Sequence, residues 1–223
     1  MKHPIGARQM GGTSPSAERK VLLQAHGIVK RYKGRRVLNG VDLVVHAGEV
    51  AAIVGSNGAG KSTMLKICAG LLSPDKGQVR AGGNLGYCPQ NAGVIGFLTP
   101  REHFTLFGTG RGLSRREAER RGRRLGTQLD WNIARNVLAK DLSGGTRQKL
   151  NVALSALGDP DLLLLDEPYQ GFDHGSYVDF WHNVWSWREA GKAVVVVTHM
   201  LNQLDRVDQV LDLTPATKRE NDR

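Results

Sequence analysis

Apolar residues occur in short runs along the chain, separated by glycine-rich or polar segments, and this pattern predicts an α/β fold. Residues 21–28 and 41–45 are rich in β-branched side chains and predict strands near the start. The runs Val50–Val54, 162–165 and 194–197 do not alternate with polar residues, which is typical of strands buried on both faces of a parallel sheet. We therefore expect a mainly parallel sheet with an N-terminal antiparallel β part.

Helical patterns fill the space between these runs. Apolar spacing predicts helices over residues 61–72 and 146–157, and residues 91–142 carry helical signals in place of apolar runs. Thr99 and Glu102 have the spacing of a capping box, as do Ser114 and Glu117. We expect one domain over residues 20–213 with a helical insert at about 91–142, between flexible tails at 1–19 and 214–223.

Composition agrees with a single domain that does not cross a bilayer by itself. Of its 223 residues, 40% are hydrophobic and 23% are charged, and the longest apolar runs fall far short of the ~20 residues that a membrane-spanning helix needs. The first 20 residues lack the apolar core of a secretory signal, so we expect a cytoplasmic protein. Cys68 and Cys88 form no Cys-x-x-Cys pair, which argues against a zinc site or a disulfide framework.

The formal net charge of +10 is compatible with nucleic acid, with an anionic membrane surface, or with solubility alone. Much of the excess lies in one predicted helical segment. The basic residues of this segment are Arg111, Arg115, Arg116, Arg120, Arg121, Arg123 and Arg124. A solvated helix face or contact with headgroups or a membrane partner explains them, and no interleaved aromatic residue favours stacking on bases.

A glycine-rich segment between a predicted strand and a predicted helix fits the phosphate-loop pattern G-x-x-x-x-G-K-[ST]. Its residues are Gly55, Ser56, Asn57, Gly58, Ala59, Gly60, Lys61, Ser62 and Thr63. The glycines allow backbone N–H groups to surround phosphates, Lys61 can reach the β- and γ-phosphates, and the Ser62 hydroxyl can bind Mg²⁺. The segment predicts a nucleotide site that uses ATP and Mg²⁺.

Two acids follow the leucine-rich strand at 162–165 and predict hydrolysis. Asp166 and Glu167 come where the strand ends, and ligands of such sheets bind at that edge. Asp166 can hold Mg²⁺ directly or through water. Glu167 is placed to polarise the attacking water.

With these features in place, the chain resembles the ATP-binding-cassette family. The residues that carry the resemblance are Leu142, Ser143, Gly144 and Gly145, which open a predicted helix before the leucine-rich strand. The resemblance implies that Ser143, Gly144 and Gly145 contact the ATP held by another subunit. It therefore implies a head-to-tail dimer with two ATP molecules between the protomers.

The same resemblance assigns further residues, which occur in the family's order. Tyr32 is similar to the aromatic residue that stacks on adenine, and Gln90 to the glutamine that contacts Mg²⁺ and the attacking water. Asp173 resembles the acid of the loop that crosses the dimer interface, and His199 the histidine that contacts the γ-phosphate. Thr146, Tyr169 and Gln170 depart from the commonest pattern, and we expect them to affect the rate and the closure of the dimer.

The resemblance implies an ATP-hydrolysing subunit that drives separate integral membrane permease subunits, more in keeping with an exporter than an importer. The partner cassette is a second copy or a paired subunit of the same family, and no nucleic acid is expected. The chain would be peripheral, at the cytoplasmic face of the membrane. The alternatives are a non-transport ATPase of the same family acting on nucleic acid or ribosomes, and an ATP-dependent regulatory switch.

Overall fold

A six-stranded sheet forms the centre of the structure, a computed structural model that describes residues 8–9, 19–131, 137–199 and 204–214. The strand order is β1 (Arg8–Gln9), β9 (Gln209–Asp212), β4 (Val50–Val54), β8 (Ala193–Val197), β7 (Leu162–Asp166) and β6 (Leu85–Cys88). From β9 to β6 every pairing is parallel, and β1 is antiparallel to β9, so the predicted mainly parallel sheet is confirmed.

The central strands are buried on both faces, as their unbroken apolar runs predict. In β7, Leu163 and Leu165 belong to one hydrophobic cluster, whereas Leu162 and Leu164 belong to another on the opposite face. All four side chains have 0% exposure. Because successive side chains of a strand point to opposite faces, the four leucines of β7 stabilise both layers of the molecule.

A three-stranded antiparallel sheet packs on one of these layers. Its order is β3 (Arg35–His46), β2 (Val21–Tyr32) and β5 (Lys76–Ala81). Strands β2 and β3 are longer than predicted, because a tight turn at Lys33 and Gly34, both with positive φ, joins them as a hairpin. The predicted N-terminal antiparallel part is confirmed.

Three helices flank the central sheet. Helix α1 (Lys61–Cys68) lies in the layer shared with the antiparallel sheet, whereas α4 (Gly144–Ala156) and α5 (His174–Glu189) pack on the other face. Helix α1 ends before the predicted residue 72, because Gly70 takes a φ of +71° and turns the chain. Among the described residues, no helix combines the length and the apolar character needed to cross a membrane.

The predicted insert contains two longer helices, α2 (Pro100–Thr109) and α3 (Arg115–Gln128), and a short 3-10 helix, Ala139–Asp141. Thr99 and Glu102 form the predicted capping box, with both reciprocal hydrogen bonds present. Ser114 caps α3 by accepting from the Glu117 N–H. The Glu117 carboxylate binds Arg120 and Arg121 instead, so the described structure contains only the Ser114 half of the second predicted box.

Several elements have no counterpart in the sequence predictions. These are β1, β5, β6, β9 and α5. The strand Arg8–Gln9 falls in the segment predicted as an N-terminal tail, and it pairs with β9. The rest of the predicted tails lies outside the described residues, except for Arg19 and Thr214.

Candidate functional site

The phosphate loop connects β4 to α1 and wraps around a buried lysine. Lys61 is only 6% exposed, and its Nζ donates to the carbonyl oxygens of Gly55 at 2.9 Å and Ser56 at 3.3 Å. Gly55, Gly58 and Gly60 all have positive φ, a conformation that glycine adopts without steric cost. No side chain caps the start of α1, and its first turn has no acidic residue. The free N–H groups at this helix start therefore suit an anion.

Asp166 lies at the end of β7 beside the first turn of α1. The Ser62 hydroxyl donates to its carboxylate at 3.0 Å, and Asp166 is 1% exposed. Burial raises the pKa of the Asp166 carboxyl and the nearby Glu167 charge raises it further, while the hydrogen bond from Ser62 opposes the shift. A hydroxyl and a carboxylate side by side form an oxygen donor set that fits Mg²⁺.

Three predicted catalytic side chains meet at the mouth of this site. Gln90 donates through Nε2 to Glu167 Oε2 at 3.2 Å, and His199 Nδ1 lies 3.8 Å from Glu167 Oε1. Gln90 follows β6, Glu167 follows β7, and His199 follows β8. Because neighbouring parallel strands end at the same edge, the sheet itself brings the three residues together.

These groups line one cleft of about 760 Å³. Tyr32 stands at its border with 46% exposure, and Lys30 Nζ lies 5.9 Å from the centre of its ring. The cleft also includes Asn57, Gly58, Gly60, Lys61, Ser62, Thr63, Gln90, Glu167 and His199. Val37 and Gln170, which the sequence did not assign to the nucleotide site, complete the lining.

The segment around Ser143 forms a second helix start. Ser143 is the N-cap of α4, and its Oγ accepts from the Thr146 N–H at 3.2 Å and contacts the Thr146 hydroxyl at 2.8 Å. In the described part of the chain, Ser143, Gly144 and Gly145 do not line the cleft. Gly144 instead borders a separate hollow of about 590 Å³ together with Gln90 and Gln170.

Comparison with known proteins decides the family. A family model described as ABC transporter matches residues 38–170, more than half of the chain. The chain belongs to the ABC transporter family.

Known members of the ABC family resemble the chain over most of its length. It is 32% identical over 219 residues to the human "ATP-binding cassette sub-family A member 10", covering 89% of this chain and 14% of that protein. It is 36% identical over 197 residues to "Daunorubicin/doxorubicin resistance ATP-binding protein DrrA" of Streptomyces peucetius, covering 83% of this chain and 60% of that protein. The chain therefore spans only part of the curated relatives that it matches.

A solved ABC structure shares the fold. It is a dimeric ATP-binding cassette in a post-hydrolysis state with ADP and Pi, with 26% identity and a TM-score of 0.78. The match covers 86% of this chain and 94% of that one. The protein is accordingly an ABC ATPase that uses ATP with Mg²⁺, as the phosphate loop and the two acids predict.

In this ABC cassette, the loop after Glu167 contains the remaining predicted residue. Asp173 is the N-cap of α5 and accepts from the Ser176 N–H at 2.7 Å, which lowers the pKa of Asp173. The backbone of the same loop approaches the segment around Ser143 closely. A Cβ on Gly145 would lie 2.5 Å from the carbonyl oxygen of Gly171, so only glycine fits there without a shift of the backbone.

Tyr169 is a residue of the site whose position the sequence did not reveal. It is 5% exposed, its hydroxyl forms a hydrogen bond with the Thr198 hydroxyl, and its ring centre lies 6.5 Å from that of His199. The sequence marks Tyr169 as a departure from the common pattern of the family. It does not indicate that the Tyr169 side chain contacts Thr198, the residue that precedes His199.

Proposed function

We propose that the chain is the ATP-hydrolysing subunit of a transporter, that it closes on ATP as a head-to-tail dimer, and that it drives a separate integral membrane permease. The division of anion-binding groups between two surfaces carries this proposal. Lys61 and Ser62 line the nucleotide cleft, whereas Ser143 lies outside it. In a head-to-tail pair, the segment around Ser143 of one cassette completes the cleft of the other, whether the partner is a second copy or a paired ABC subunit.

The predicted residues of the cleft bind ATP or take part in its hydrolysis under this proposal. Lys61 and the loop amides bind the β- and γ-phosphates, and Tyr32 stacks on adenine at the border of the cleft. Glu167 accepts a hydrogen bond from the attacking water and takes its proton. Gln90 and His199 flank the Glu167 carboxylate, so they orient the water and contact the γ-phosphate.

The metal-binding role falls to Ser62, Asp166 and Gln90. The hydrogen bond between Ser62 and Asp166 places two oxygen donors at the phosphate end of the cleft, and Gln90 lines the same cleft. Mg²⁺ bound here would neutralise charge on the phosphates. On the opposite side of the interface, Ser143, Gly144 and Gly145 would contact the nucleotide of the partner, and Asp173 would hold the crossing loop through its N-cap.

The helical insert supplies the surface for the permease. Phe97 is 75% exposed and Leu106 is 49% exposed, and both lie in the insert. Gln90 lines the nucleotide cleft and directly precedes the insert, which begins at about residue 91. It would therefore transmit movement of the bound phosphates to the insert. The similarity to a drug-resistance protein supports export. Through the permease, the cassette would lie at the cytoplasmic face of the membrane.

Replacement of Glu167 tests the catalytic part of this proposal. We expect Glu167→Gln to retain ATP binding and to form a stable ATP-bound dimer, while turnover falls at least ~100-fold because the general base is lost. Analytical ultracentrifugation and a phosphate-release assay measure the two effects. Glu189→Gln, an exposed carboxylate at the end of α5, is the matched control and should keep full turnover. Near-normal turnover of Glu167→Gln would contradict the assignment.

Co-purification from membranes tests the permease. The tagged full chain should be recovered with an integral membrane protein, and Phe97→Asp should lower that recovery about tenfold, since a charge replaces an apolar contact. Val44→Asp alters an exposed apolar residue of β3, outside the insert, and should leave recovery unchanged. Recovery with ribosomes or DNA, and without any integral membrane protein, would favour the alternative class of ABC ATPase.

A further inference from the structure

A second cleft, of about 330 Å³, lies between the helical insert and the core. Helix α3 forms one wall, and the ends of α4 and α5 form the other, together with the residues that precede β7 and β8. Leu163 and Lys192 line it at the start of these strands, whereas Asp166 and Thr198 stand at their other ends. The length of β7 thus separates this cleft from the nucleotide cleft by ~13 Å.

Positive charge dominates the border of this second cleft. Arg120, Arg121, Arg124 and Lys192 face only two acids, Glu117 and Asp159. Arg120 and Arg121 pair with Glu117, and Lys192 pairs with Asp159. Four cations and two anions line the cleft, so its acids leave two positive charges without neutralisation.

Arg124 is the cation best placed to receive another anion. Within the described part of the chain Arg124 forms no ion pair, and it affects Asp159 only through electrostatic attraction at a distance. The pKa of Asp159 is lowered chiefly by the hydrogen bond from Lys192, and the charges of Arg121 and Arg124 add to this effect. The guanidinium of Arg124 thus keeps its hydrogen-bond donors available for a ligand.

The floor of the same cleft is apolar. Leu157 and Leu163 are fully buried beneath it at 0% exposure, Trp187 is 9% exposed, and Leu125 of α3 adds a half-buried side chain. A polar anion alone would leave this floor uncovered. A molecule with an apolar body covers Trp187 and Leu125, the part of this floor that water still reaches, and removes their surface from water.

We propose that this cleft binds a soluble amphiphilic anion, with an acidic head on Arg124 and its neighbours and an apolar body against Trp187 and Leu125. The cleft volume of about 330 Å³ between α3 and α5 favours a single molecule that enters it over a bilayer that lies across it. Such a ligand contacts α3 of the insert and α5 of the core together. It therefore stabilises one relative arrangement of the two.

The test uses the full chain saturated with MgADP, so that the nucleotide cleft is filled, and decanoate as the probe in isothermal titration calorimetry. We expect saturable binding of one decanoate per chain, and each methylene removed from the probe should weaken binding by up to about fourfold. Arg124→Gln should weaken binding at least about tenfold through loss of a charge-assisted hydrogen bond. Arg116→Gln removes the same charge from the same helix outside the cleft and should change the affinity less than about twofold.

A melting curve gives an independent measurement. At the same concentration, decanoate should raise the melting temperature of the parent and of Arg116→Gln by equal amounts, and should raise that of Arg124→Gln by less. Equal losses in both variants, no saturable binding to the parent, or equally tight binding of inorganic phosphate would overturn the proposal. So would Arg124-dependent sedimentation with phosphatidylglycerol vesicles in the absence of binding to monomeric decanoate, because the ligand would then be a membrane surface.

Discussion

At the scale of single residues, Glu167 is held by its backbone as much as by its side-chain partners. Its φ of +46° lies in the left-handed region, which side chains larger than glycine adopt at a cost. The Glu167 N–H donates to Val197 O at 3.2 Å, and its carbonyl accepts from the Gln170 N–H at 3.2 Å. These bonds fix the turn, so the carboxylate is directed toward the cleft before any nucleotide arrives.

Asp166→Asn separates the structural and metal-binding effects of the buried acid. Because burial raises the pKa of Asp166 above its ordinary value of 3.8, the carboxyl stabilises the fold when protonated, and this contribution is lost as the pH rises through the raised pKa. We expect the variant to unfold at a higher urea concentration than the parent at pH 7 and to lack this pH-dependent loss. Its Mg²⁺-dependent affinity for ADP should fall about tenfold or more. Equal urea midpoints for both chains at pH 7 would contradict the stability argument.

The Tyr169 hydroxyl is expected to stabilise the end of β8 through Thr198. A double-mutant cycle with Tyr169→Phe and Thr198→Val should give a coupling free energy of about 1 kcal/mol in urea unfolding, because the two hydroxyls share a buried hydrogen bond. A cycle of Tyr169→Phe with Thr127→Val, an exposed residue of α3, should give a coupling near zero. Equal coupling in the two cycles would show that the bond is absent.

At the scale of elements, the insert depends on how closely α2 and α3 approach. A Cβ at Gly122 would lie 2.2 Å from the ring of Phe104, and a Cβ at Gly108 would lie 2.3 Å from the Cβ of Ala118. Phe104 is itself 1% exposed. Glycine at these two positions therefore sets the distance between the helices.

Gly122→Ala should open this helix pair. We expect the free energy of unfolding to fall by ~1–3 kcal/mol, since the added methyl group overpacks a rigid aromatic contact. Urea unfolding followed by circular dichroism measures the change. Arg116→Ala, on the exposed side of α3, should stay within about 0.5 kcal/mol of the parent. A neutral Gly122→Ala would mean that the helices can separate without cost.

The elements that the sequence predicts are those whose pattern is local. Strands β4 and β7 are unbroken apolar runs, so burial on two faces is visible in their composition. Strand β5 is mostly exposed and has the sequence KGQVRA, and its pairing with β2 is set by residues far away in the chain. Helix α5 combines five aromatic residues with two valines, which have weak helix propensity and depend on tertiary packing.

The same distinction applies to the site. The phosphate loop and the acids after β7 follow directly from short motifs that lie at a strand end. The sequence does not contain the information that Tyr169 supports Thr198 or that Val37 and Gln170 line the cleft, because these contacts join separate segments. Nor does a run of arginines show that Arg124 shares a cleft with Trp187.

At the scale of the whole molecule, a head-to-tail pair requires each cleft to be completed by the other chain. Lys61→Ala removes the phosphate-binding cation of one surface, and Ser143→Arg blocks the other surface. Each variant alone should therefore be inactive. A mixture contains dimers in which one cleft combines the intact loop of one chain with the intact Ser143 segment of the other.

We expect an equimolar mixture of these two variants to recover about a quarter of the parent turnover, because half of the dimers are mixed and each has one intact site of two. Phosphate release per chain measures the recovery. As a control, a mixture of the Lys61→Ala chain with a Lys61→Ala/Ser143→Arg chain should stay inactive. A Lys61→Ala and Ser143→Arg mixture that remains as inactive as its components would exclude the head-to-tail arrangement.

The separation of the two hydrophobic layers by the central sheet also makes tryptophan fluorescence specific for one of the two layers. All four tryptophans, Trp131, Trp181, Trp185 and Trp187, belong to the layer that contains α4 and α5. Their emission therefore senses the melting of that layer alone, whereas far-ultraviolet circular dichroism senses both. Superimposable transitions from the two signals would mean that the sheet transmits unfolding from one side to the other.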